Sequence, residues 1–589
     1  MDNSDLESGV PHSRARAIGN GSTIEPERGK RTFVRERSAM NGECFFRLLR
    51  GRVLRTSIVF VLLGGWWAGC QRTPEGGLTT GNLVPTTQLE SSDRLLQLGK
   101  QTYDRNCAPC HGVNGDSQGP AAYLLYPRPR DFTASRYRLV STWDFAPTDE
   151  DLFRTISRGM PGSAMPSWSH LTEEMRWGLV YYIKSFTKRP IEIGPDHQPA
   201  GPTDSPSGRV EVPSEPPYDS AAETRARELY AKNCANCHGP TGRGDGPEKQ
   251  EDSEGFPVKP RDLSAGIFKG SPEPQDVYKR IAAGLPGSPM PSHPHLYGED
   301  AWHLVHLVRA MSSDEQRARM EMKRFQIVAT RVPQLPGHPD DSIWRSTPAV
   351  ELHLMPLWWR DQRPETVTVQ ALHDGKEIAF QLIWSDLTHD QAAIRPQDFR
   401  DAVAIEFALS PEDPPFFGMG EGIHGAAVNI WMWKSERQAD LEPAFQDIDK
   451  QYPNIGIDSY PNLLRSPLEQ PTRQALTLES DPTFVTGWGA ENIVSDPTRK
   501  SAAEDLSASG FGTLKAHPIQ ADQNVNANGV YGTGTYRVIF RRTLDVGVEG
   551  NVALRPGSSH PVAFAVWDGS ASDRDGKKSI TVWQELIIQ

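Results

Sequence analysis

The sequence carries one six-residue pattern twice: Cys107-Ala108-Pro109-Cys110-His111-Gly112, then Cys234-Ala235-Asn236-Cys237-His238-Gly239. Two thiols separated by two residues can add to the two vinyl groups of a haem. A histidine directly after them then lies under the iron as proximal ligand, which is the attachment pattern of a c-type haem. A lone Cys-x-x-Cys would leave a redox dithiol or zinc open. A structural zinc site needs four ligands, and the six cysteines include only Cys44 and Cys70 besides these four. No pair remains for a structural disulfide. Covalent haem attachment takes place outside the cytoplasm, so such a chain must be exported.

The repeat extends well beyond the motif. Leu95, Leu98, Gly99 and Tyr103 fall at helical spacing ahead of Cys107. Tyr230 repeats Tyr103, and Ala226 takes the place of Gly99. Pro260-Arg261-Asp262 echoes Pro129-Arg130-Asp131, and Trp302, Val305 and His306 repeat the stripe Trp177, Val180 and Tyr181. Small Gly99 would let its helix cross the one after Leu171 closely. A second axial ligand should come from Gly159-Met160-Pro161-Gly162-Ser163-Ala164-Met165-Pro166 and its copy Gly284-Leu285-Pro286-Gly287-Ser288-Pro289-Met290-Pro291. Met160 aligns with Leu285, which cannot bind iron, whereas Met165 aligns with Met290. The expected ligand pairs are therefore His111/Met165 and His238/Met290. Helix, haem motif, methionine loop, helix: the order resembles class I cytochrome c. A thioether ligand raises the potential relative to two histidines. Two saturated irons leave no place for a substrate, so these domains should move electrons. Arg130 and Arg261 suit haem propionates.

Ahead of the first repeat, Arg47, Arg50, Arg52 and Arg55 precede the apolar run from Ile58 to Cys70. A basic stretch and a short apolar one read as a secretory signal, too short for a membrane-spanning helix. Ala68-Gly69-Cys70 resembles a bacterial lipobox, although Trp67 departs from the usual aliphatic residue. Cys70 is then a lipidated N-terminus; an uncleaved anchor or a cleaved soluble protein are the alternatives. Residues 1–45 read as disordered or as lying ahead of a start at Met40. The first 69 residues hold 11 Lys/Arg against 7 Asp/Glu, while the net charge is -12, so the acidic excess lies in the rest. Without a basic stripe, nucleic acid is not an expected partner. The predicted organisation is leader 1–70, tether 71–91, cytochrome c domain 92–189, proline-rich linker 190–220, second cytochrome c domain 221–319 and a last domain 320–589.

In that last domain the pattern changes to period two, in runs near 366–370, 378–384, 402–407, 536–540, 562–567 and 579–583, separated by Gly, Pro, Asn and Asp. Alternating strands with turn signals predict an antiparallel β-sandwich, with 435–530 as loops wrapping it. The fold class is thus two all-α cytochrome c domains followed by an antiparallel β-sandwich. Pro415 to Gly420, Val428 to Lys434, Ala508 to Leu514, Ala565 to Gly569 and Lys577 to Ile580 look like the haem-binding γ subunit of ethylbenzene dehydrogenase. That family includes γ subunits of chlorate and selenate reductases, and the similarity spans roughly 340–589. It implies a b-type haem held between methionine and lysine, exchanging electrons with iron-sulfur clusters of a molybdenum enzyme. By position Met419 is the methionine, with Met432 and Met355 behind it. For the lysine, Lys578 shares an apolar strand face with Ile580 and Val582, whereas Lys577 shares the other with Ser579 and Thr581. Burial would favour the neutral amine that iron requires. Lys578 is preferred to Lys577, with Lys434 third.

The expectation is an exported, lipid-anchored electron-transfer protein on the periplasmic side, with two haem c, one haem b and no catalytic site of its own. Its partners would be molybdenum/iron-sulfur oxidoreductase subunits and a redox carrier protein. The alternative is a free-standing dihaem shuttle whose sandwich is a haem-free docking or ligand-binding module.

Overall fold

The computed structural model describes residues 82–589 apart from 136, 188–207, 253–254, 361, 412–413, 416–426, 442–453, 455–500, 511 and 518–522. Cys70, the signal segment, Met419 and most of the linker lie outside the described residues. Among the described residues no helix is long and apolar enough to cross a membrane.

The first helical domain begins with α1 (Asp93–Asn106), capped by the Ser92 hydroxyl accepting from Leu95 N. One face of α1 is buried: Leu95, Gly99, Thr102 and Tyr103. That face meets α4 (Glu173–Ser185). A methyl group on Gly99 would lie 2.0 Å from the Gly178 carbonyl oxygen, so this crossing requires glycine. Between them, α2 (Ala108–His111) is a single turn carrying the haem motif, and α3 (Asp149–Arg158) starts with a Thr148/Asp151 capping box. The second domain repeats this order: α5 (Ser220–Asn233), α6 (Ala235–His238), α7 (Pro274–Ala283) and α8 (Glu299–Ala310), followed by α9 (Asp314–Arg319). It adds a small hairpin, β1 (Gln250–Glu251) and β2 (Pro257–Val258). The expected linker is not free along its whole length. Its end pairs with the first domain, Trp143 N donating to Gly208 O at 2.8 Å and Val210 N to Ser141 O at 2.8 Å.

The last domain is one large sheet. Its strands are β3 (Gln326–Arg331), β4 (Val350–His353), β5 (Met355–Pro356), β6 (Thr366–His373), β7 (Glu377–Ser385), β8 (Ala402–Ala408), β9 (Val428–Lys434), β10 (Ala503–Ala508), β11 (Lys515–Ala516), β12 (Asn526–Gly532), β13 (Thr535–Thr543), β14 (Ser559–Trp567), β15 (Ser579–Ile580) and β16 (Gln584–Ile588). The main path runs β11-β10-β9-β8-β14-β16-β3-β6-β7-β13-β12. It turns over on itself. The Phe380 ring of β7 lies 6.0 Å from both Phe407 of β8 and Trp431 of β9, and Trp384 lies 6.3 Å from Trp433.

The wholly antiparallel expectation is corrected. β3 runs parallel to both β16 and β6, because the domain's first and last strands meet side by side. The expected strand 579–583 is also shorter, stopping at Ile580. There the Thr581 hydroxyl accepts from Phe564 N at 3.0 Å, a side chain standing in for a ladder carbonyl. Nor is 435–530 all loop. β10 pairs along β9, its Glu504 and Asp505 buried on Lys434 (2.8 Å) and Asn429 (2.7 Å).

Candidate haem sites

In both helical domains the haem motif is held by the same tie. The Tyr103 hydroxyl donates to Gly112 O at 2.8 Å, and the Tyr230 hydroxyl donates to Gly239 O at 2.9 Å. Each one-turn helix ends at its histidine because the next residue, Gly112 or Gly239, has positive φ. His111 Nδ1 donates to Arg130 O at 2.9 Å. That bond fixes the tautomer and leaves Nε2 as the free donor atom for a metal. Burial pulls His111 down to about 4, so the imidazole is neutral, as ligation requires. His238 is likewise lowered by burial, with the Arg261 carbonyl beside its ring opposing. Burial also pushes the Cys110 thiol up to about 12 and Cys234 to about 11. A redox dithiol needs the opposite, a lowered thiol.

The methionine loops are superimposable in their bonds. Helix α3 ends at Gly159 (φ 75), α7 at Gly284 (φ 70). Met160 N then donates to Met165 O at 3.0 Å, and Leu285 N to Met290 O at 3.1 Å. The Ser163 and Ser288 hydroxyls each donate to the loop carbonyl three residues back, at 2.7 Å. One cavity is lined by Cys107, Cys110, His111, Met160 and Met165; a second by Cys234, Cys237, His238, Leu285 and Met290. The structure therefore brings each histidine together with its expected methionine, and places Met160 on the wall as well. Residues Pro127 to Arg130, Arg138, Arg261 and Lys269 line both cavities, which thus share a wall. That wall is strongly cationic. Arg261 is lowered to about 10 by burial and by Arg363 and Arg138; Lys269 is lowered by burial, Arg138 and Arg261. Cavities with two thiols, a neutral imidazole and a thioether, joined by half-buried cations, fit haems whose propionates would meet that wall.

The first cavity abuts the large sheet. Cys110, Ala121, Leu125 and Ala164 pack in one cluster with Met322, Met355, Leu357 and Ile580. Main-chain bonds reinforce it: Tyr126 N donates to Leu357 O (3.0 Å), Trp359 N to Tyr126 O (2.8 Å), and Leu357 N to Lys578 O (2.9 Å). Met355 and Leu357 are each 1% exposed and Ile580 5%. At about 1.5–3 kcal/mol per buried side chain, these three alone outweigh any one surface ion pair.

On the sheet, Met432, Ala404, Ala565, Ile580 and Met355 stand directly opposite one another across β9, β8, β14, β15 and β5, so their side chains share one face. Ala402, Ala404 and Ala565 make that face low, and Trp567 and Met432 rise beside it. Lys578 reaches across it, Nζ 4.9 Å from the Trp567 ring centroid. Its pKa is lowered, first by burial, against the pull of Glu406; burial in turn pushes Glu406 up to about 7. Lys577 turns elsewhere, donating to Ala571 O at 2.8 Å, and Lys434 is paired with Glu504. Met355 is buried in the cluster beside Cys110 rather than standing free. The face thus sets an alanine floor beside a lysine that burial lowers and a methionine, two side chains able to donate to a haem iron. The alanines carried no signal in the sequence; only the strand register aligns them.

The sequence comparisons divide the chain in the same way. Residues 94–183 match the family "Cytochrome C oxidase, cbb3-type, subunit III", 223–312 match "Cytochrome c", and 341–579 match "Ethylbenzene dehydrogenase". A provisionally named respiratory nitrate reductase heme subunit of Haloferax mediterranei is 23% identical over 254 residues, 42% of this chain and 67% of the relative. The dimethylsulfide dehydrogenase subunit gamma of Rhodovulum sulfidophilum is 26% identical over 257 residues, 42% of this chain and 73% of the relative. The chlorate reductase subunit gamma of Ideonella dechloratans is 21% identical over 255 residues, 42% and 78%. This chain thus carries two cytochrome c domains in tandem, followed by an ethylbenzene dehydrogenase-type domain similar to the gamma subunits of oxidoreductases.

Proposed function

We propose that this protein is an exported electron-transfer subunit with three haem sites in series: the alanine face of the sheet, then the His111/Met165 site, then the His238/Met290 site. A bound haem supplies one-electron chemistry at iron. The chain's residues set spacing, ligation and potential. One observation carries the order: Leu357 joins the Lys578 main chain to Tyr126, while Cys110 packs on Met355 and Ile580. The first cytochrome domain thus lies against the sheet on one side and shares its cationic wall with the second domain on the other. The sheet face would meet a molybdenum/iron-sulfur oxidoreductase, as the gamma-subunit relatives suggest. The second cytochrome domain, whose Cys237 borders polar Glu248 and Gln250, would meet a periplasmic or membrane carrier. Cys70 would carry the lipid anchor; two or more acyl chains hold a protein on a membrane where one does not.

The sheet site is tested by Lys578→Arg. Arginine keeps charge and approximate length but does not lose its proton, so it cannot ligate iron. Full-length protein should carry two covalent haems by denaturing mass spectrometry and one more extractable by acid acetone. Lys578→Arg should lose the extractable haem and leave the covalent pair; Lys577→Arg should lose neither. Absence of extractable haem in the wild type would favour a haem-free docking sheet on a dihaem shuttle. Cys70→Ser should release the protein from membranes or block its maturation.

A further inference from the structure

Beside the alanine face, three buried carboxylates meet at one end of the sheet. Asp386 follows β7, Asp401 precedes β8 and Asp568 follows β14. They are 5%, 0% and 5% exposed, and one oxygen from each lies within 4.8 Å of the others. Each accepts hydrogen bonds from donors around it. Asp401 accepts from Gly569 N (2.8 Å), Asp390 N (2.7 Å) and the Tyr536 hydroxyl (2.7 Å). Asp386 Oδ1 accepts from Thr388 N (3.1 Å) and its hydroxyl (3.2 Å). Asp568 Oδ1 accepts from the Ser570 hydroxyl (2.7 Å) and Ala571 N (3.1 Å).

Asp386 Oδ2 is the oxygen left over. It is buried and has no hydrogen-bond partner, and neither has Oδ2 of neighbouring Asp390. A buried carboxylate oxygen without a donor costs about 1–3 kcal/mol or more, and the charges of Asp568 and Asp390 that act on Asp386 are both negative. Asp386 is pushed up to about 6 by burial, then Asp568 and Asp390; Asp401 is pushed up to about 7 by burial, then Asp386. The nearby guanidinium of Arg360 is committed to Asp573.

We infer that Asp386, Asp401 and Asp568 bind one divalent cation of the calcium class. The donors are all hard oxygens, with no His or Cys among them, which excludes a zinc-type site. They come from three separate segments joined by loops, a setting that suits the flexible coordination of Ca²⁺ better than the strict octahedron of Mg²⁺. The cation would tie the connection between β7 and β8 to the loop 568–578. The two are already pressed together, a methyl on Gly569 falling 2.5 Å from Asp390 Cβ.

The test uses the full-length, haem-loaded protein, stripped with EGTA and then measured by calorimetry in EGTA, CaCl₂ or MgCl₂. Calcium at about a hundred times its dissociation constant should raise the melting temperature of the sheet domain by roughly 5–10 °C. Elemental analysis should find one calcium per chain before stripping. Asp386→Asn should abolish the calcium response, yet melt in EGTA at or above the wild type, since it removes one of the mutually repelling charges. The inference is overturned if wild type melts alike in EGTA and calcium, if magnesium serves equally, or if Asp386→Asn stays calcium-responsive. Should that variant not fold, the wild-type titration and metal content decide alone.

Discussion

The two cytochrome c domains share a local code and differ in what surrounds it. Motif, tyrosine tie and methionine loop repeat bond for bond. In the first domain Cys110 is buried among Met355, Leu357 and Ile580, and His111 is locked by its bond to Arg130 O. In the second, Cys237 is half-buried beside Glu248 and Gln250. The helix crossing differs too: Gly99 faces Gly178, but the repeat puts Ala226 and His303 at those positions, too bulky for the same approach. A duplicated ligand set thus need not mean duplicated roles. On the reading proposed above, the first domain would serve as an internal relay and the second as the outward one.

The largest effect expected is at the ligands. Met165→Leu and Met290→Leu should each remove one methionine-to-iron charge-transfer band from the oxidised spectrum and lower one potential in a redox titration. Met160→Leu, on the wall of the first cavity, should change neither. A result in which Met160→Leu takes the band would break the correspondence between the two loops.

Next comes the crossing. Gly99→Ala forces a methyl into the Gly178 carbonyl, a backbone contact that cannot move aside cheaply. It should destabilise the first domain by about 1–3 kcal/mol, as overpacking does, read as faster amide exchange in α1 and α4. The mirror change, Ala226→Gly, should cost only about 1 kcal/mol from helix propensity. Equal costs would mean that the two domains cross their helices alike after all.

What could be read from the sequence follows the same division between local and assembled. The haem motifs and methionine loops are legible because a covalent anchor and its ligand act within a few residues. The preference for Met165 over Met160 rests on the second copy alone, since both line the first cavity. Strand direction is not legible: alternation at Ile327 and Ala329 in β3, or Leu586 and Ile588 in β16, is the same for parallel and antiparallel neighbours. β10 is hidden because Glu504 and Asp505 break its apolar rhythm, their charges being answered by residues far away in the chain. Lys578 was half legible. Face alternation separates it from Lys577, but only the fold supplies Trp567 and Glu406. The carboxylates 386, 401 and 568 lie at three strand ends, and nothing in their flanking residues announces a cluster.

The last effect is the one expected to be equal in the two domains. Tyr103→Phe and Tyr230→Phe keep the ring and remove one hydroxyl, leaving the Gly112 or Gly239 carbonyl without its donor inside the protein. Each should cost about 1–3 kcal/mol for the unsatisfied buried acceptor. The rings' neighbours are unequal: Tyr103 packs against Phe132, Tyr182 and Phe186, at 6.4, 5.3 and 5.1 Å between centroids. Those contacts survive in phenylalanine, so they should drop out of the difference. Amide exchange in α1 and α5 then gives two losses within about half a kcal/mol of each other, since such exchange reads local opening free energies. A markedly larger loss at Tyr103 would show that its hydroxyl supports more than the tie. The local code would then depend on its surroundings even where its bonds are the same.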